Sequence, residues 1–73
     1  MKTKDELRMQ GLDCEFTIRD AEDNVIDSTK SLKKALEMVK RIADAQYVEY
    51  EEFDYATGEP WNSEIVWGSK IEY

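Results

Sequence analysis

The stretch from Gln46 to Trp67, QYVEYEEFDYATGEPWNSEIVW, constrains this chain more than any other. Two runs rich in β-branched and aromatic residues flank one turn signal, Asp54-Tyr55-Ala56-Thr57-Gly58-Glu59, a pattern that reads as a long β-hairpin. Gly58 supplies the positive φ that such a turn needs, and Asp54 is placed to accept hydrogen bonds from the turn amides. Setting Asp54 opposite Glu59 predicts a continuous register. Phe53 then meets Pro60, Glu52 meets Trp61, Tyr50 meets Ser63, Glu49 meets Glu64, Val48 meets Ile65 and Tyr47 meets Val66.

Side chains alternate along a strand, so this register sorts the hairpin into two faces. Val48, Tyr50, Trp61, Ile65 and Trp67 share the predicted core face, with Glu52 at its turn end. Tyr47, Glu49, Glu51, Phe53, Asn62, Glu64 and Val66 share the other. Like charges directly opposed cost a sheet a few tenths of a kcal/mol, up to about 1. A Glu49–Glu64 pair is therefore a cost that folding alone does not explain. It fits either a solvated acidic face kept for solubility and edge protection, or a binding surface for a basic partner.

Ahead of the hairpin, Leu12 to Arg19 alternates cleanly, with Leu12, Cys14, Phe16 and Ile18 on one side and Asp13, Glu15, Thr17 and Arg19 on the other. That is a half-buried strand. A turn over 20–24 leads to a short returning strand, Val25–Ser28, whose favoured register sets Ile26 opposite Ile18. Asp23 or Asn24 tolerates positive φ in that turn. Ser31 is a predicted N-cap for a helix from Leu32 to about Ala45, apolar along Leu32, Ala35, Leu36, Met38, Val39, Ile42 and Ala43. On its polar side Glu37–Arg41 and Lys40–Asp44 are spaced as i,i+4 ion pairs. Thr3-x-x-Glu6 matches a capping box, so residues 1–11 are a short N-terminal helix ended by Gly11, or a disordered arm. Ile71 and Tyr73 share parity with Trp67, which lets the last strand run to the end of the chain.

The order is thus ββαββ. The predicted fold class is α+β: a two-layer, four-stranded, mostly antiparallel sheet over residues 12–73, with one amphipathic helix on one face and the first strand beside the third. The second sheet face is left to solvent, carrying Asp13, Glu15, Tyr47, Glu49, Glu51, Glu64 and Val66 as the predicted partner-binding residues.

Seventy-three residues hold one small domain, and a single cysteine leaves no intrachain disulfide to stabilise it. The N-terminal residues lack the apolar core of a signal peptide, and no apolar run is long enough to span a bilayer, so the expected setting is cytoplasmic. Residues 1–41 hold nine basic and nine acidic side chains, whereas residues 42–73 hold one and eight, so the whole net charge of −7 lies in the hairpin half. Such a field repels phosphates and attracts basic protein surfaces.

Catalysis is not expected. The absence of histidine removes the common nucleophile pairs and His-based metal sites. Cys14 falls on the buried side of its strand and reads as a core residue. Asp20-x-Glu22-x-Asn24 imitates the start of a calcium loop but has Val25 at the glycine position and Ser31 at the twelfth, so no metal and no cofactor are predicted. The basic stripe Lys30, Lys33, Lys34, Lys40 and Arg41 argues for nucleic-acid binding through the helix, but Glu37 and Asp44 interrupt it and no aromatic residue joins it. The leading expectation is a non-enzymatic module whose acidic face engages a basic, nucleic-acid-binding type of protein surface, as an inhibitor or adaptor mimicking nucleic-acid charge. The alternatives are nucleic-acid binding through the helix, or a structural domain that self-associates. The protein itself would be a monomer, or a homodimer formed through an edge strand.

Overall fold

The strand expected from alternation forms over Leu12–Arg19, here β1, and the sheet is built outward from it. The computed structural model describes residues 1–69. In chain order it comprises α1 (Lys4–Met9), β1, β2 (Val25–Thr29), α2 (Leu32–Val39), β3 (Tyr47–Asp54) and β4 (Pro60–Gly68). The sheet order is β2-β1-β3-β4 with every neighbouring pair antiparallel. An α+β sheet with β1 central and α2 packed on one face is therefore observed. The proposed continuation through Ile71 and Tyr73 lies outside the described residues.

The inward side chains of β1 are Leu12, Cys14, Phe16 and Ile18, between 0% and 7% exposed. Across β3 they meet Val48 and Tyr50, and the helices close the layer with Leu7, Ala35 and Val39. Phe16 and Tyr50 sit opposite each other in the ladder, their ring centroids 5.2 Å apart and their planes tilted by 43°. Such an offset aromatic contact adds about 0.5–1.5 kcal/mol beyond area burial.

Both helices begin where side-chain caps are available. Thr3 Oγ1 accepts the Glu6 amide at 3.2 Å, and Ser31 Oγ accepts the Lys34 amide at 3.3 Å. Gly11, at φ 71°, ends the first helical turn region. α2 ends at Val39 rather than near Ala45. The return from β2 to β3 sets this length. The backbone passes from beside Glu15 back to Gln46, whose amide donates to the Arg19 carbonyl. That path follows four residue steps of β1, about 13 Å at 3.3 Å each. Eight helical residues rise about 12 Å, whereas fourteen would overshoot at about 21 Å. Residues 40–45 turn instead, with Ile42 and Ala45 still packed on the core and Ala43 exposed. With the helix ended, neither Glu37–Arg41 nor Lys40–Asp44 is an ion pair among the described residues.

Two strand registers differ from expectation. In the β1–β2 ladder Asp27, not Ile26, stands opposite Ile18, because Arg19 pairs with Val25 and Ile26 is the extra residue of a bulge. The tight 20–24 turn enforces this. Asp20 exchanges backbone bonds with Asn24 and Asp23, its carboxylate accepts the Glu22 and Asn24 amides at 2.9 Å, and Asp23 takes φ 67°. Asp27 incurs no burial cost, since it lies exposed on an edge strand.

The second correction concerns β4. The turn closes as expected: Asp54 accepts the Ala56 and Thr57 amides, Gly58 takes φ 76°, and Phe53 pairs with Pro60. Beyond it the ladder slips twice. Glu51 meets Ser63, Tyr50 meets Glu64, Glu49 meets Ile65 and Val48 meets Trp67. Each slip inserts one extra β4 residue, and a bulge of this kind shifts every later side chain relative to the partner strand. The Glu49–Glu64 opposition is thereby abolished.

Coverage is also narrower than expected. Strands lie about 4.8 Å apart and a helix is about 10 Å wide, so one helix covers roughly two strands. α2 packs over β1 and β2, and α1 over β1. Trp67 and Val66 reach the core from the base of β4, but Trp61, further along it, is 62% exposed. Leu36, expected in the core, is only half-buried.

Candidate functional site

The sheet face turned away from the helices is built from the outward residues of β1 and β3. Glu15 stands directly opposite Glu51, Thr17 opposite Glu49, Asp13 opposite Phe53 and Arg19 opposite Tyr47. The like-charge opposition expected within the hairpin thus exists, but between β1 and β3. Asp13, Glu15, Glu49 and Glu51 all lie partly exposed on this face.

One cation organises the acidic row. Arg19 Nε lies 3.4 Å from Glu49 Oε1, and its Nη2 lies 3.4 Å from Glu51 Oε1. Its Nη1 donates to the Asp23 carbonyl at 2.9 Å, which fixes the guanidinium against the 20–24 turn. A single guanidinium does not neutralise three carboxylates. Partial burial, then the neighbouring Glu49 carboxyl, raise the Glu51 carboxyl above its ordinary value, while Arg19 pulls the other way.

A second cation sits at the far end of the row. Lys30 follows β2 and reaches across β1 to pair with Asp13, its ammonium 5.4 Å from the Phe53 ring centre. The hydrogen bond to Lys30 holds the Asp13 carboxyl below its usual value and raises the Lys30 ammonium. Lys30 has therefore left the basic helix stripe, whose remaining members Lys33, Lys34, Lys40 and Arg41 are exposed around a helix that ends at Val39.

Three of the expected site residues are placed differently. Tyr47 points to the open face but is 6% exposed, because the 20–24 turn folds beside it and its hydroxyl donates to Asp23 Oδ1 at 2.7 Å. Glu64 stands opposite Tyr50 rather than Glu49 and lies 3.7 Å from the Met1 amino group. Val66 is the extra residue of the second bulge and packs on the core. In their place the bulges bring Ser63 opposite Glu51 and Ile65 opposite Glu49, so the acidic row gains an apolar neighbour. Arg19 and Phe53 fall on this face as the strand parity predicts, although neither was expected to bind a partner, and Ile65, expected on the core face, joins them. Arg19 was legible from the parity of β1, whereas Ile65 depends on a bulge that no residue announces.

On the helix side, Glu52 is buried at 4% exposure yet fully engaged. It accepts from the Tyr50 hydroxyl at 2.8 Å and from Asn62 Nδ2 at 3.4 Å, with Lys2 Nζ 4.0 Å away. Burial, followed by the bond to Glu52, pushes the Tyr50 phenol far above its ordinary value. Cys14 is buried, and burial raises its thiol as well. Among the described residues no group of carboxylates and thiols is arranged to hold a metal ion. No helix there is long and apolar enough to cross a membrane. Comparison with protein-family models, with curated proteins and with solved structures finds no match to this chain.

Proposed function

We propose that this protein is a non-enzymatic binding module that presents its open sheet face to a basic protein surface, acting as an inhibitor or adaptor of a protein of the nucleic-acid-binding type. The observation that carries this reading is the Glu15–Glu51–Glu49 row on an uncovered face, countered by one arginine. In the isolated protein the row opposes itself. Against lysines and arginines of a partner the same charges gain complementary contacts, speeding association and fixing register. Phe53 and Ile65 border the row with apolar area that a partner can desolvate. The test is affinity capture from native lysate, with wild type and Glu49→Gln/Glu51→Gln run side by side and retained proteins identified by mass spectrometry. A basic protein held by wild type and lost by the variant is the expected result. Equal retention of the same proteins refutes the reading.

A second reading, self-association through β4, has its own support. β4 is an edge strand of nine residues with one charged side chain, Glu64, and an exposed Trp61. Unpaired edges of this kind template further strands. Sedimentation equilibrium distinguishes it: a dimer lost on Ser63→Pro favours self-association, and a monomer at high concentration removes it.

A further inference from the structure

We propose that the groove between α1, the start of β1 and the β3–β4 turn is a binding site for a small organic anion with an apolar body, of the medium-chain carboxylate type. The groove is open to solvent and has a volume of about 550 Å³, within the range of about 300–1,000 Å³ usual for small-molecule sites. Its floor is apolar, made by Leu7, Leu12 and Cys14, which are 3%, 6% and 7% exposed. Its rim is basic, made by Lys4, Arg8 and Lys30.

The rim inverts the sign of the molecule. The chain carries −7 overall, yet three of its ten basic residues gather here with a single carboxylate, Asp13. Asp13 is taken by Lys30. Among the described residues, neither Lys4 nor Arg8 has a carboxylate within ion-pair distance. Two cations beside a closed apolar floor are the complement of a carboxylate head on a hydrocarbon body.

The walls are held in place independently of any ligand. Thr3 caps α1, and Leu7 anchors it to the core. The Tyr55 amide donates to the Gly11 carbonyl at 2.9 Å, joining the hairpin turn to the end of α1. Tyr55, 76% exposed, completes the lining. The mouth is open at Gly11, where an added Cβ would meet nothing within 4 Å. A bare phosphate would leave the apolar floor unused, and the overall field repels a polyanionic strand.

The test is an amide NMR titration of the full chain with octanoate, with 1-octanol and with inorganic phosphate, on wild type and on Lys4→Gln/Arg8→Gln. Both replaced side chains are exposed, and the variant's own spectrum reports its fold. Saturable octanoate shifts centred on Gly11, Leu12, Cys14 and Tyr55 are expected. Octanol should bind at least tenfold more weakly, phosphate should produce no saturable shift at these amides, and the double variant should lose at least tenfold in octanoate affinity but none for octanol. Alkylation of Cys14, the sole cysteine, should slow as octanoate saturates. The proposal is overturned by octanoate shifts absent or scattered over the sheet, by octanol binding as tightly, by phosphate reproducing the effect, or by an unchanged double variant.

Discussion

Glu15 and Glu51 stand directly opposite each other across the β1–β3 ladder, and Glu49 lies two residues from Glu51 on the same face of β3. Partial burial and then the neighbouring Glu49 carboxyl disfavour the charged form of Glu51, more than Arg19 favours it, so the folded state holds that proton more tightly than the unfolded chain does. The Glu51 carboxyl is accordingly raised, and its contribution to stability is greatest when protonated and falls as pH rises through and above the ordinary carboxylate range. Glu51→Gln should therefore leave the fold unharmed at pH 7 or stabilise it, by up to about 1 kcal/mol after screening at a partly exposed site. Thermal unfolding of both proteins between pH 4 and 8 checks this: the variant should lack part of the wild-type decline with rising pH. A clear loss of stability at pH 7 would mean that Arg19 outweighs the repulsion.

Asp13 titrates with the opposite sign. Its carboxyl is depressed by the Lys30 hydrogen bond, so its contribution is present above the ordinary carboxylate range and disappears as pH falls through the depressed value. Asp13→Asn should cost a few tenths of a kcal/mol at pH 7 and nothing in strong acid. The same unfolding series reads it.

The tryptophans test the β4 register. Trp67 packs on the core from the base of β4, whereas Trp61 is 62% exposed beside the first bulge. Trp67→Ala should cost about 3 kcal/mol, enough to endanger a domain of this size. Trp61→Ala should fall within about 0.5 kcal/mol of wild type. Urea midpoints of the two variants give the comparison, and equal losses would restore the unbulged register.

Gly68 and Gly58 share positive φ but differ in surroundings. At Gly58, φ 76°, a Cβ meets open space, so Gly58→Ala should cost only the backbone penalty of about 1–2 kcal/mol. At Gly68, φ 107°, a Cβ would come within 2.2 Å of the Gln46 carbonyl oxygen and 2.6 Å of the Tyr47 Cα. Gly68→Ala should therefore exceed about 3 kcal/mol, strain and clash together, and loosen the open end of the hairpin. Hydrogen exchange of the Tyr47 and Val48 amides locates the loss.

Much of this molecule is readable from local chemistry. Alternation marks β1, Asp54 and Gly58 mark the hairpin turn, and Thr3 and Ser31 mark the helix starts, because each acts over a few residues. The remainder is set at longer range. α2 stops at Val39 because β3 must begin beside Arg19, a distance no helical periodicity contains. The slips of β4 follow from cross-strand pairing, including the Asn62–Glu52 bond, and they moved Glu64 and Val66 off the acidic face while bringing Ile65 onto it. Asp13, Glu15, Glu49 and Glu51 were legible as one surface because strands β1 and β3 pair without a bulge.

The acidic face is tested most directly by pairing stability with partner retention in two charge-matched variants. Glu49→Gln/Glu51→Gln removes two charges from the open face; Glu59→Gln/Glu64→Gln removes two from positions outside that row. The first should hold or gain thermal stability and lose the basic protein captured by wild type, with each desolvated pair worth about 2–5 kcal/mol of affinity. The second should keep that protein at wild-type affinity, apart from a salt-sensitive slowing of association. Retention of the partner by the first variant at unchanged affinity across salt, or equal loss by both, contradicts a functional acidic face.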